Sequence, residues 1–565
     1  MTDPQDRTNG ARRPVDISPA EPGGVRTAEH TLEGRVLVVD DELANRVYLR
    51  KLLAARGCEV LEAPDGEAAL ARVRKDPPDL ALVDVVMPGG NGYDVCRRMK
   101  EDPISRDIPV IMVTAQTDIK DVEEGFVAGA FDYIRKPFNP RELIARVRNA
   151  LDLKRSNDAM RLWQRRMSRE LEVAGSLQRK LFSTNPLLGP VVEVHMAYQP
   201  CLTVGGDVFD AIMMADGRLC VYVGDVAGHG VAPAIVGALL KAIIHETARE
   251  FAAAGPAAIC REVQSRFRDY VENPEVYATL FLAILSPDRR RWTCMNCGHP
   301  DPILVAADGA DVSVQLTGLG DVPIGFASGG ESFAADRQVE APAAPGSRLL
   351  LMTDGLIESR HPDTGVQCGE SRLGTIARHV LADPRVVNPA AAIFQAVRAD
   401  GFPLSEDDCS VVSVEWIDPA SIRMERQIPL ELQAVAEAAA QADRILQAEG
   451  WPEEAAGAAQ LVLMEHGANV IRHGRAPAGS SITFRLRLTG PLCRMTFRDQ
   501  GREWDQADRM AAVQLLPKDR EHGRGLGLIH AVSHHVEFFR RENNNIAFFV
   551  ISREDMRFVT GRSGT

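Results

Sequence analysis

Three short apolar runs, each followed by a segment with helical periodicity, constrain the fold of the first third of the chain most strongly. The runs are 36–39, 79–83 and 110–113. Apolar strands that alternate with amphipathic helices predict a doubly wound parallel sheet with crossover helices. In such a sheet, functional side chains collect at the carboxyl ends of the strands. The pattern therefore predicts both a fold and the edge of the sheet where a site should lie.

Polar residues follow the predicted strands at that edge: Asp40, Asp41, Asp84, Thr114 and Lys136. Three converging carboxylates repel one another unless a divalent cation lies among them, and oxygen ligands suit Mg²⁺. A lysine could pair with an added phosphoryl group, and a threonine hydroxyl could hydrogen-bond to it. One Asp after a strand is usually a helix cap. Five such positions in order argue against that interpretation here.

On these residues, the segment 34–150 resembles a response-regulator receiver domain. The resemblance implies that Asp84 accepts a phosphoryl group from a sensor histidine kinase, while Asp40 and Asp41 hold Mg²⁺. The family's switch pair and its lysine would be Thr114, Tyr133 and Lys136.

A long helix is predicted next, because residues 141–174 contain neither Gly nor Pro. Apolar side chains recur in steps of three and four along the seam Met160, Trp163, Met167, Leu171, Ala174, Leu177 and Leu181. Two interpretations of the linker 151–182 stay open. The helix could lie on its own neighbouring domain, or it could form a coiled coil through which the chain becomes a homodimer. The segment 170–181 also resembles the helix that precedes phosphatase domains of the stress-regulator type.

Four acidic residues spread over two hundred positions each lie beside an apolar run and a turn: Asp207, Asp225, Asp354 and Asp407. Strands that end in Asp and then turn on Gly can present metal ligands at one rim of a β-sandwich. Two Mg²⁺ or Mn²⁺ ions roughly 4 Å apart can generate hydroxide from a bridging water and neutralise a phosphate. A single Asp-Gly is only a turn signal. The ordered set is specific, because it also contains the segments 277–285, 296–300 and 323–325 at the expected intervals.

With these motifs, residues 183–416 resemble PPM/PP2C-type serine/threonine phosphatases of the sporulation and general-stress branch, a β-sandwich flanked by helices. The resemblance implies metal ligation by the four Asp residues and by the backbone carbonyl of Val226. Either carboxylate of Asp407 and Asp408 could be the last ligand, and the family pattern favours the first. His229 is expected to order a glycine-flanked turn. Gly298-His-Pro departs from the family's Gly-His-Asn-Pro, away from the metal ligands.

A third group of motifs begins with a polar stripe on one face of the predicted helix 460–473, formed by Glu465, Asn469 and His473. Such a stripe is usually a solvated face, but two further signals follow it. Residues 497–501 place an Asp and a Gly after a strand. Residues 523–528 form a glycine turn that opens a helix, where backbone N–H groups can bind phosphate. The order of the three motifs predicts an ATP site.

Residues 424–555 thus resemble the GHKL ATPase fold, an α/β sandwich, and within it the serine kinases that double as anti-sigma factors. The resemblance implies that Asn469 coordinates Mg²⁺ and that Asp499 reads the adenine amino group. Glu465 would be the general base toward a serine hydroxyl. The other predicted nucleotide-binding residues are His473, Gly501, Gly523, Gly525 and Gly527. Residues 502–522 would form the ATP lid, and His466 and Gly467 depart from the family pattern.

Composition excludes several classes of partner and location. The net charge of −13 argues against nucleic acid, which requires clustered Lys and Arg. Ten scattered cysteines fit a reducing cytosol, and the only CxxC, at 294–297, is expected to pack in a strand. No signal segment is visible, and the apolar run 231–244 is too short to span a bilayer. We expect a multidomain cytoplasmic protein with no membrane partner, a disordered segment 1–33 and a tail 556–565.

The leading functional hypothesis is a partner-switching response regulator. It would dephosphorylate, and also phosphorylate, Ser or Thr on a STAS-type anti-sigma-factor antagonist, with phosphorylation of Asp84 deciding which activity prevails. One alternative keeps the phosphatase and makes the C-terminal ATP-binding domain a module that binds a sigma factor or the antagonist without kinase turnover. A third interpretation is an ATP-sensing scaffold without turnover, and the intact set of four Asp residues counts against it.

Overall fold

The structure is a computed structural model that describes residues 32–88, 90–115, 126–214, 216–316, 320–326, 337–477, 479–503, 524–541 and 543–554. The chain divides into two compact units, Met1–Ser168 and Arg169–Thr565, each taken by itself below. Nearly all of the predicted N-terminal segment 1–33 and the tail 556–565 lie outside the described residues, as do Gly523 and almost all of the predicted lid.

The first unit contains a five-stranded parallel sheet in the order β2-β1-β3-β6-β7. Its strands β3 and β6 are buried at every position, which explains their continuous apolar sequence. The elements are β1 Arg35–Val39, α1 Leu43–Ala54, β2 Glu59–Ala63, α2 Gly66–Lys75, β3 Leu80–Asp84, β4 Val86–Met87, β5 Gly90–Asn91, α3 Gly92–Glu101, β6 Val110–Thr114 and β7 Asp132–Arg135. The predicted doubly wound parallel sheet is confirmed.

Helix α4, Pro140–Leu181, carries the chain from the first unit into the second without a break. Its C-terminal turns lie on the phosphatase-like part of the second unit, where Gly175 and Gln178 are buried. A Cβ at position 175 would come within 2.6 Å of the Thr203 carbonyl oxygen. The predicted seam residues Trp163 and Leu177 are exposed. Leu171 and Ala174 of the seam are half-buried, so the packed face includes only part of the seam, and the coiled-coil interpretation stays a prediction.

Two antiparallel five-stranded sheets form the sandwich that follows, in the orders β10-β11-β12-β13-β15 and β14-β16-β17-β9-β8. One apolar core contains residues of both sheets, such as Val223 and Val412. The strands are β8 Leu187–Leu188, β9 Val192–Gln199, β10 Val208–Met213, β11 Leu219–Val226, β12 Ala278–Leu285, β13 Arg291–Cys297, β14 Ile303–Val305, β15 Val339–Pro342, β16 Arg348–Met352 and β17 Cys409–Trp416. The helices are α5 Val231–Phe251, α6 Pro256–Tyr270, α7 Asp354–Glu358, α8 Gly369–Ala382 and α9 Pro389–Ala399. The predicted helix-flanked β-sandwich is confirmed, and both cysteines of the CxxC lie buried in β13.

Helix α5 extends to Phe251 and is therefore longer than the apolar run 231–244 indicated. By length and composition it is the one described helix that could cross a membrane. It serves as a core helix instead, because Leu240 and Ile244 are fully buried in the sandwich. Its buried Lys241 is bonded to Asp210 on β10 at 2.6 Å.

A third antiparallel sheet, in the order β18-β19-β20-β22-β21, completes the second unit. Its elements are β18 Ile422–Pro429, α10 Leu432–Ala448, α11 Glu453–His473, β19 Ser481–Thr489, β20 Leu492–Asp499, α12 Arg524–Val532, β21 His535–Arg541 and β22 Asn544–Ser552. Helices cover one face, as predicted for an α/β sandwich. Two unexpected residues of α11 have packing roles. His466 stacks edge-on against Phe497 at 4.7 Å, and a Cβ at Gly467 would lie 2.6 Å from the Val435 side chain.

The other face of the third sheet packs against the sandwich. Leu492 and Phe548 join Leu188 and Val387 of the sandwich in one buried apolar cluster. Beside it, arginines of the sheet bond to carbonyl oxygens and carboxylates of the sandwich, namely Arg485, Arg487, Arg494 and Arg498. Removing one side of a buried ion pair typically costs about 3–5 kcal/mol, so the pairs of Arg487 and Arg494 with Glu193 oppose separation of the two domains.

Candidate functional sites

The pocket of the first unit lies at the carboxyl edge of its parallel sheet. Asp40 and Asp84 are buried, and Lys136 Nζ lies 2.8 Å from Asp40 Oδ2 and 2.6 Å from Asp84 Oδ2. Carboxylate oxygens of Asp40, Asp41 and Asp84 all lie within 4.8 Å of one another. Thr114 is buried at the end of β6. The structure thus brings the predicted set together, with Tyr133 exposed on β7.

The lysine offsets part of the negative charge of this pocket. Burial raises the pKa of Asp84, and the hydrogen bond and charge of Lys136 act to lower it. For Lys136, burial acts to lower the pKa, but bonds to Asp40 and Asp84 outweigh burial and raise it. Sequence reasoning missed Asn45, whose Nδ2 donates to both Asp40 oxygens at 3.1 Å. A single Asn in a predicted helix does not indicate from sequence that its side chain orients a carboxylate.

The second candidate site is an acidic rim where the two sheets of the sandwich meet, formed by Asp207, Asp225, Asp354 and Asp407. Asp207 precedes β10, and Asp225 lies near the end of β11 in the same sheet. Asp354 begins α7 directly after β16, and Asp407 precedes β17, both on the other sheet. The pKa of Asp225 is raised by burial and then by the charges of Asp354 and Asp407, which places all of them in one electrostatic cluster.

Asp207 is held rigidly at the base of the acidic rim. Its Oδ2 accepts hydrogen bonds from Ser410 Oγ at 2.7 Å and from Thr353 Oγ1 at 3.0 Å. Its Oδ1 is buried and has no hydrogen-bond partner among the described residues. Burial, followed by the charge of Asp225, raises the pKa of Asp207 well above its usual value. A buried carboxylate oxygen without a donor, next to another carboxylate, fits a cation-binding position.

The rest of the acidic rim is equally short of positive charge. The pKa of Asp225 is raised to about 8, first by burial and then by neighbouring carboxylates. Burial and the charge of Asp407 raise the pKa of Asp354. Within the described parts of the chain, none of the four rim carboxylates forms an ion pair with Lys, Arg or His. Oxygen ligands crowded in this way match the preferences of Mg²⁺ and Mn²⁺.

Two glycines bring the backbone close to the acidic rim. A Cβ on Gly206 would lie 2.8 Å from the Val226 carbonyl oxygen, the predicted backbone ligand. A Cβ on Gly205 would collide with the carboxylate of Asp408 at 2.3 Å. Asp408 is buried and accepts hydrogen bonds from Gly206 N at 2.6 Å and from Cys201 N at 2.8 Å. Both Asp408 oxygens therefore anchor this turn, and the assignment of Asp407 as the metal ligand stays a prediction.

Two histidines singled out in the sequence, His229 and His299, lie in turn and buried positions of the sandwich. His229 is exposed between Gly228 and Gly230, which have φ of 93° and 97°, so the glycines make the turn possible. His299, in the departing Gly298-His-Pro segment, is buried with its Nδ1 2.8 Å from Thr279 Oγ1. Burial lowers the pKa of His299 to about 3, so this histidine is neutral.

Gln178, near the end of α4, is a residue that sequence reasoning missed. Its Nε2 donates to the Gly205 carbonyl oxygen at 2.7 Å, and its Oε1 accepts from Gly205 N at 3.1 Å. The glutamine thereby fixes both polar groups of a residue two positions before Asp207. Polar and apolar residues are mixed around Gln178 along the helix, so the sequence gave no reason to single it out.

The third candidate site lies between α11 and the third sheet. Glu465 and Asn469 are half-buried on α11, and His473 is exposed at its end. Asp499 is buried, and its Oδ1 accepts from Gly501 N at 2.8 Å and from Asn545 Nδ2 at 3.0 Å. Burial raises the pKa of Asp499. Gly525 and Gly527 lie in α12, and Gly523 lies outside the described residues.

Asn545 and Arg540 belong to this site and were not predicted. Asn545 Nδ2 also donates to the Arg502 carbonyl oxygen at 2.9 Å. Arg540 Nη1 donates to the Gly501 carbonyl oxygen at 3.0 Å and to Asn545 Oδ1 at 2.9 Å. These bonds shape the Asp499–Gly501 turn from the neighbouring strands. A sequence motif could not reveal them, because the partners lie some forty residues apart.

Three family models match the chain in the order of these sites. They are the response regulator receiver domain over residues 36–148, Stage II sporulation protein E (SpoIIE) over 215–417, and the histidine kinase-like ATPase domain over 428–550. The chain therefore contains a receiver domain, a PP2C-type phosphatase domain and a kinase-like ATPase domain, as the motifs predicted.

Two curated response regulators match about a quarter of the chain. The DNA-binding response regulator MtrA from Mycobacterium tuberculosis is 45% identical over 128 residues, which cover 23% of this chain and 54% of MtrA. The response regulator PleD from Caulobacter vibrioides is 40% identical over 148 residues, covering 26% of this chain and 33% of PleD. The chain thus spans about half or less of the length of these curated relatives.

Solved structures with similarity include the RsbU and RsbW domains of a Mycobacterium tuberculosis protein, at 21% identity and a TM-score of 0.36, covering 64% of this chain and 93% of that one. The PP2C domain of SiaA from Pseudomonas aeruginosa is 23% identical with a TM-score of 0.38, covering 46% and 99%. A putative response regulator from Chloroflexus aurantiacus is 41% identical with a TM-score of 0.21, covering 21% and 99%.

Proposed function

Because the chain joins a receiver domain, a phosphatase domain of the SpoIIE family and a histidine kinase-like ATPase domain, we propose that it is a phosphorylation-controlled partner-switching regulator. Its phosphatase domain removes phosphate from Ser or Thr of a STAS-type anti-sigma-factor antagonist. Its ATPase domain returns the phosphate as a protein serine kinase. Phosphorylation of Asp84 by a sensor histidine kinase selects between the two reactions, because unregulated cycling would only hydrolyse ATP.

The acidic rim is the observation that carries the phosphatase proposal. Asp207, Asp225, Asp354 and Asp407, with the Val226 carbonyl oxygen, would hold two Mg²⁺ or Mn²⁺ ions. Metal ions in such a site supply a hydroxide nucleophile at neutral pH and neutralise the phosphate. The buried Asp207 Oδ1 has no donor among the described residues, and a bound cation would satisfy it, which supports the assignment.

Residues around the rim prepare it for that role. Thr353 and Ser410 orient Asp207 by bonding to one oxygen, which leaves the other directed to a ligand. Asp408 accepts a hydrogen bond from the backbone N–H group of Gly206 and so holds this turn in place. The turn keeps Asp207 close to the Val226 carbonyl oxygen. These are positioning contacts, and none of them requires substrate.

Helix α4 supports control by the receiver. It begins at Pro140, directly after the receiver sheet, and its Gln178 binds both backbone polar groups of Gly205 beside Asp207. A shift of the helix would move Gly205 and with it the rim. We also propose that the exposed apolar residues of α4, among them Trp163, mediate a homodimer.

In the ATPase domain, Asn469 would coordinate Mg²⁺, Asp499 would bind the adenine amino group and Glu465 would accept the serine proton. Asp499 is buried and fixed by Gly501 and Asn545, as a residue with a recognition role requires. The half-buried Glu465 lies one helical turn before Asn469 on α11. His473, one turn further, is proposed to contact the nucleotide.

The kinase proposal is tested in the full chain with the phosphatase silenced by Asp225→Ala. The chain is mixed with labelled ATP and with a candidate antagonist that was first identified by pull-down with the chain. Transfer of label to the antagonist supports the kinase, and adding Glu465→Ala should abolish transfer. Glu454→Ala, an exposed acid on the same helix, is the matched control and should transfer normally. A stable complex with no transfer would support the alternative, in which the domain only binds the antagonist or a sigma factor.

A further inference from the structure

Two successive arginines on β21 connect the nucleotide-binding turn to the phosphatase sandwich. Arg540 bonds to the Gly501 carbonyl oxygen and to Asn545, the residue that holds Asp499. Successive side chains of a strand point to opposite faces of the sheet. Arg541 accordingly points away from that turn, toward the sandwich.

Arg541 contacts the strand that leads out of the acidic rim. Its Nη2 donates to the Ala211 carbonyl oxygen on β10 at 2.5 Å, and its Nη1 donates to the Asn185 carbonyl oxygen at 3.2 Å. The Arg541 guanidinium also lies 3.6 Å from Asp210 Oδ1. Asp210 is three positions beyond Asp207, and β10 pairs with β11, the strand of Asp225.

Asp210 is the centre of a charge cluster behind the acidic rim. Its Oδ2 lies 2.6 Å from Lys241 Nζ and 2.9 Å from His245 Nε2, both on α5. Burial acts to raise the pKa of Asp210, but bonds to His245 and Lys241 hold it well below its usual value. The carboxylate is therefore ionised, and Arg541 adds a second cation beside Lys241, this one from another domain.

The other arginines of the domain interface reach a different part of the sandwich. Arg487 and Arg494 bind Glu193 on β9, in the sheet opposite to β10. Those contacts attach the domains to one another. Arg541, in contrast, contacts the strand that follows Asp207 and is covalently adjacent to a residue of the nucleotide site.

We propose that Arg541 of the ATPase domain is a positioning residue of the phosphatase, and that the Arg540–Arg541 pair couples nucleotide occupancy near Asp499 to the geometry of β10 and the acidic rim. This inference rests on the proposed phosphatase function. A nucleotide that moves the Asp499–Gly501 turn displaces Arg540, and Arg541 must follow because the two share one strand. By linkage, any change in metal affinity that the nucleotide causes is matched by an equal change in nucleotide affinity when metal binds.

The test uses the full-length chain with Mn²⁺ and p-nitrophenyl phosphate, with and without a non-hydrolysable ATP analogue. In the unaltered chain, saturating analogue should change kcat by about fivefold with KM unchanged. Arg541→Gln should lower basal kcat and abolish the response, while its affinity for the analogue stays within about twofold of the original. Arg541→Lys keeps a charge beside Asp210 but cannot donate to Ala211 and Asn185 together, so an intermediate response is expected.

Arg385→Gln is the matched control, because Arg385 forms an exposed pair with Glu554 at 3.4 Å across the same two domains. It should respond like the unaltered chain. A nucleotide response that persists in Arg541→Gln, or an active phosphatase that never responds to the analogue, would overturn the coupling. If Arg541→Gln does not fold, a full response in Arg541→Lys overturns it.

A chain with no phosphatase activity at all would refute the proposed function rather than the coupling. Amide hydrogen exchange of residues 208–213 then tests the coupling, because this measurement does not depend on phosphatase activity. The analogue should change amide exchange on β10 in the unaltered chain and leave it unchanged in Arg541→Gln. The same exchange with and without analogue in the unaltered chain would contradict the inference.

Discussion

The receiver pocket and the acidic rim are both clusters of carboxylates, but only one carries its own counter-charge. In the receiver, Lys136 lies within 2.8 Å of both Asp40 and Asp84. At the rim, Asp225 has carboxylates as its charged neighbours, and these together with burial raise its pKa to about 8. The receiver pocket is thus partly neutralised by its own lysine, whereas the rim carboxylates have no protein cation beside them among the described residues.

The difference matches what each site has to do. A receiver must stay folded whether or not a phosphoryl group is present, and a lysine can exchange a carboxylate partner for phosphate. A phosphatase of this type needs strong cation binding in every turnover, and carboxylates without a protein cation bind metal more tightly. The contrast yields four predictions, from the largest effect to the smallest.

Asp225→Ala should break the rim most severely. Removing this rim carboxylate, which would hold metal, should lower phosphatase kcat by about a thousandfold or more. Affinity for an ATP analogue should be unchanged, because the nucleotide site has its own residues. Asp363→Ala, an exposed acid in a loop of the same domain, is the control. Loss of nucleotide binding together with phosphatase activity would show that the two sites are not separable.

Lys136→Ala should make the receiver pocket behave like the rim. With the ammonium removed, buried Asp40 and Asp84 face each other, and the receiver should lose about 2 kcal/mol of stability without metal. Mg²⁺ should then restore more stability than it adds to the unaltered chain. Urea unfolding followed in EDTA and in Mg²⁺ measures both effects. Lys75→Ala, an exposed lysine of α2, should change neither.

The pH dependence of Mn²⁺ affinity should separate the two clusters next. A carboxyl with a raised pKa must release its proton before it can bind metal. Because the pKa of Asp225 is about 8 without metal, Mn²⁺ affinity should rise by up to about tenfold per pH unit from pH 6 and level off above pH 8. In EDTA, the folded chain keeps this proton up to about pH 8, whereas the unfolded chain has already released it. The free energy of unfolding should therefore fall as pH rises toward 8. Calorimetric titration across this range is the measurement, and a flat profile would contradict the charge imbalance at the rim.

Ser410→Ala tests the support of Asp207. It removes the 2.7 Å hydrogen bond to Oδ2 but leaves the bond from Thr353. Affinity for Mn²⁺ should fall by about tenfold, as is usual when an outer partner of a ligand is lost. Ser413→Ala, which alters another buried serine of β17, should leave metal affinity unchanged. Equal effects of both variants would mean that strand packing, not the orientation of Asp207, is responsible.

The sequence predicted the fold and the carboxylates of both clusters, since each Asp follows an apolar run or opens a turn. Local order along the chain is sufficient for such features. It could not predict Ser410 and Thr353, which meet Asp207 from about 150 to 200 residues away. Nor could it predict Arg541, whose partner Ala211 is 330 positions distant. Such polar contacts depend on how sheets and domains pack, which a motif does not encode.

Control of the phosphatase by the receiver is tested most directly by hydrolysis of p-nitrophenyl phosphate by the full-length chain. The rate is measured with Mn²⁺ before and after Asp84 is phosphorylated by a small phosphodonor, with the modification verified by mass spectrometry. We predict that kcat changes by about fivefold or more, that Asp84→Asn shows no change, and that Asp225→Ala is inactive in both states. Equal rates for the phosphorylated and unphosphorylated chain would contradict control of the phosphatase by the receiver.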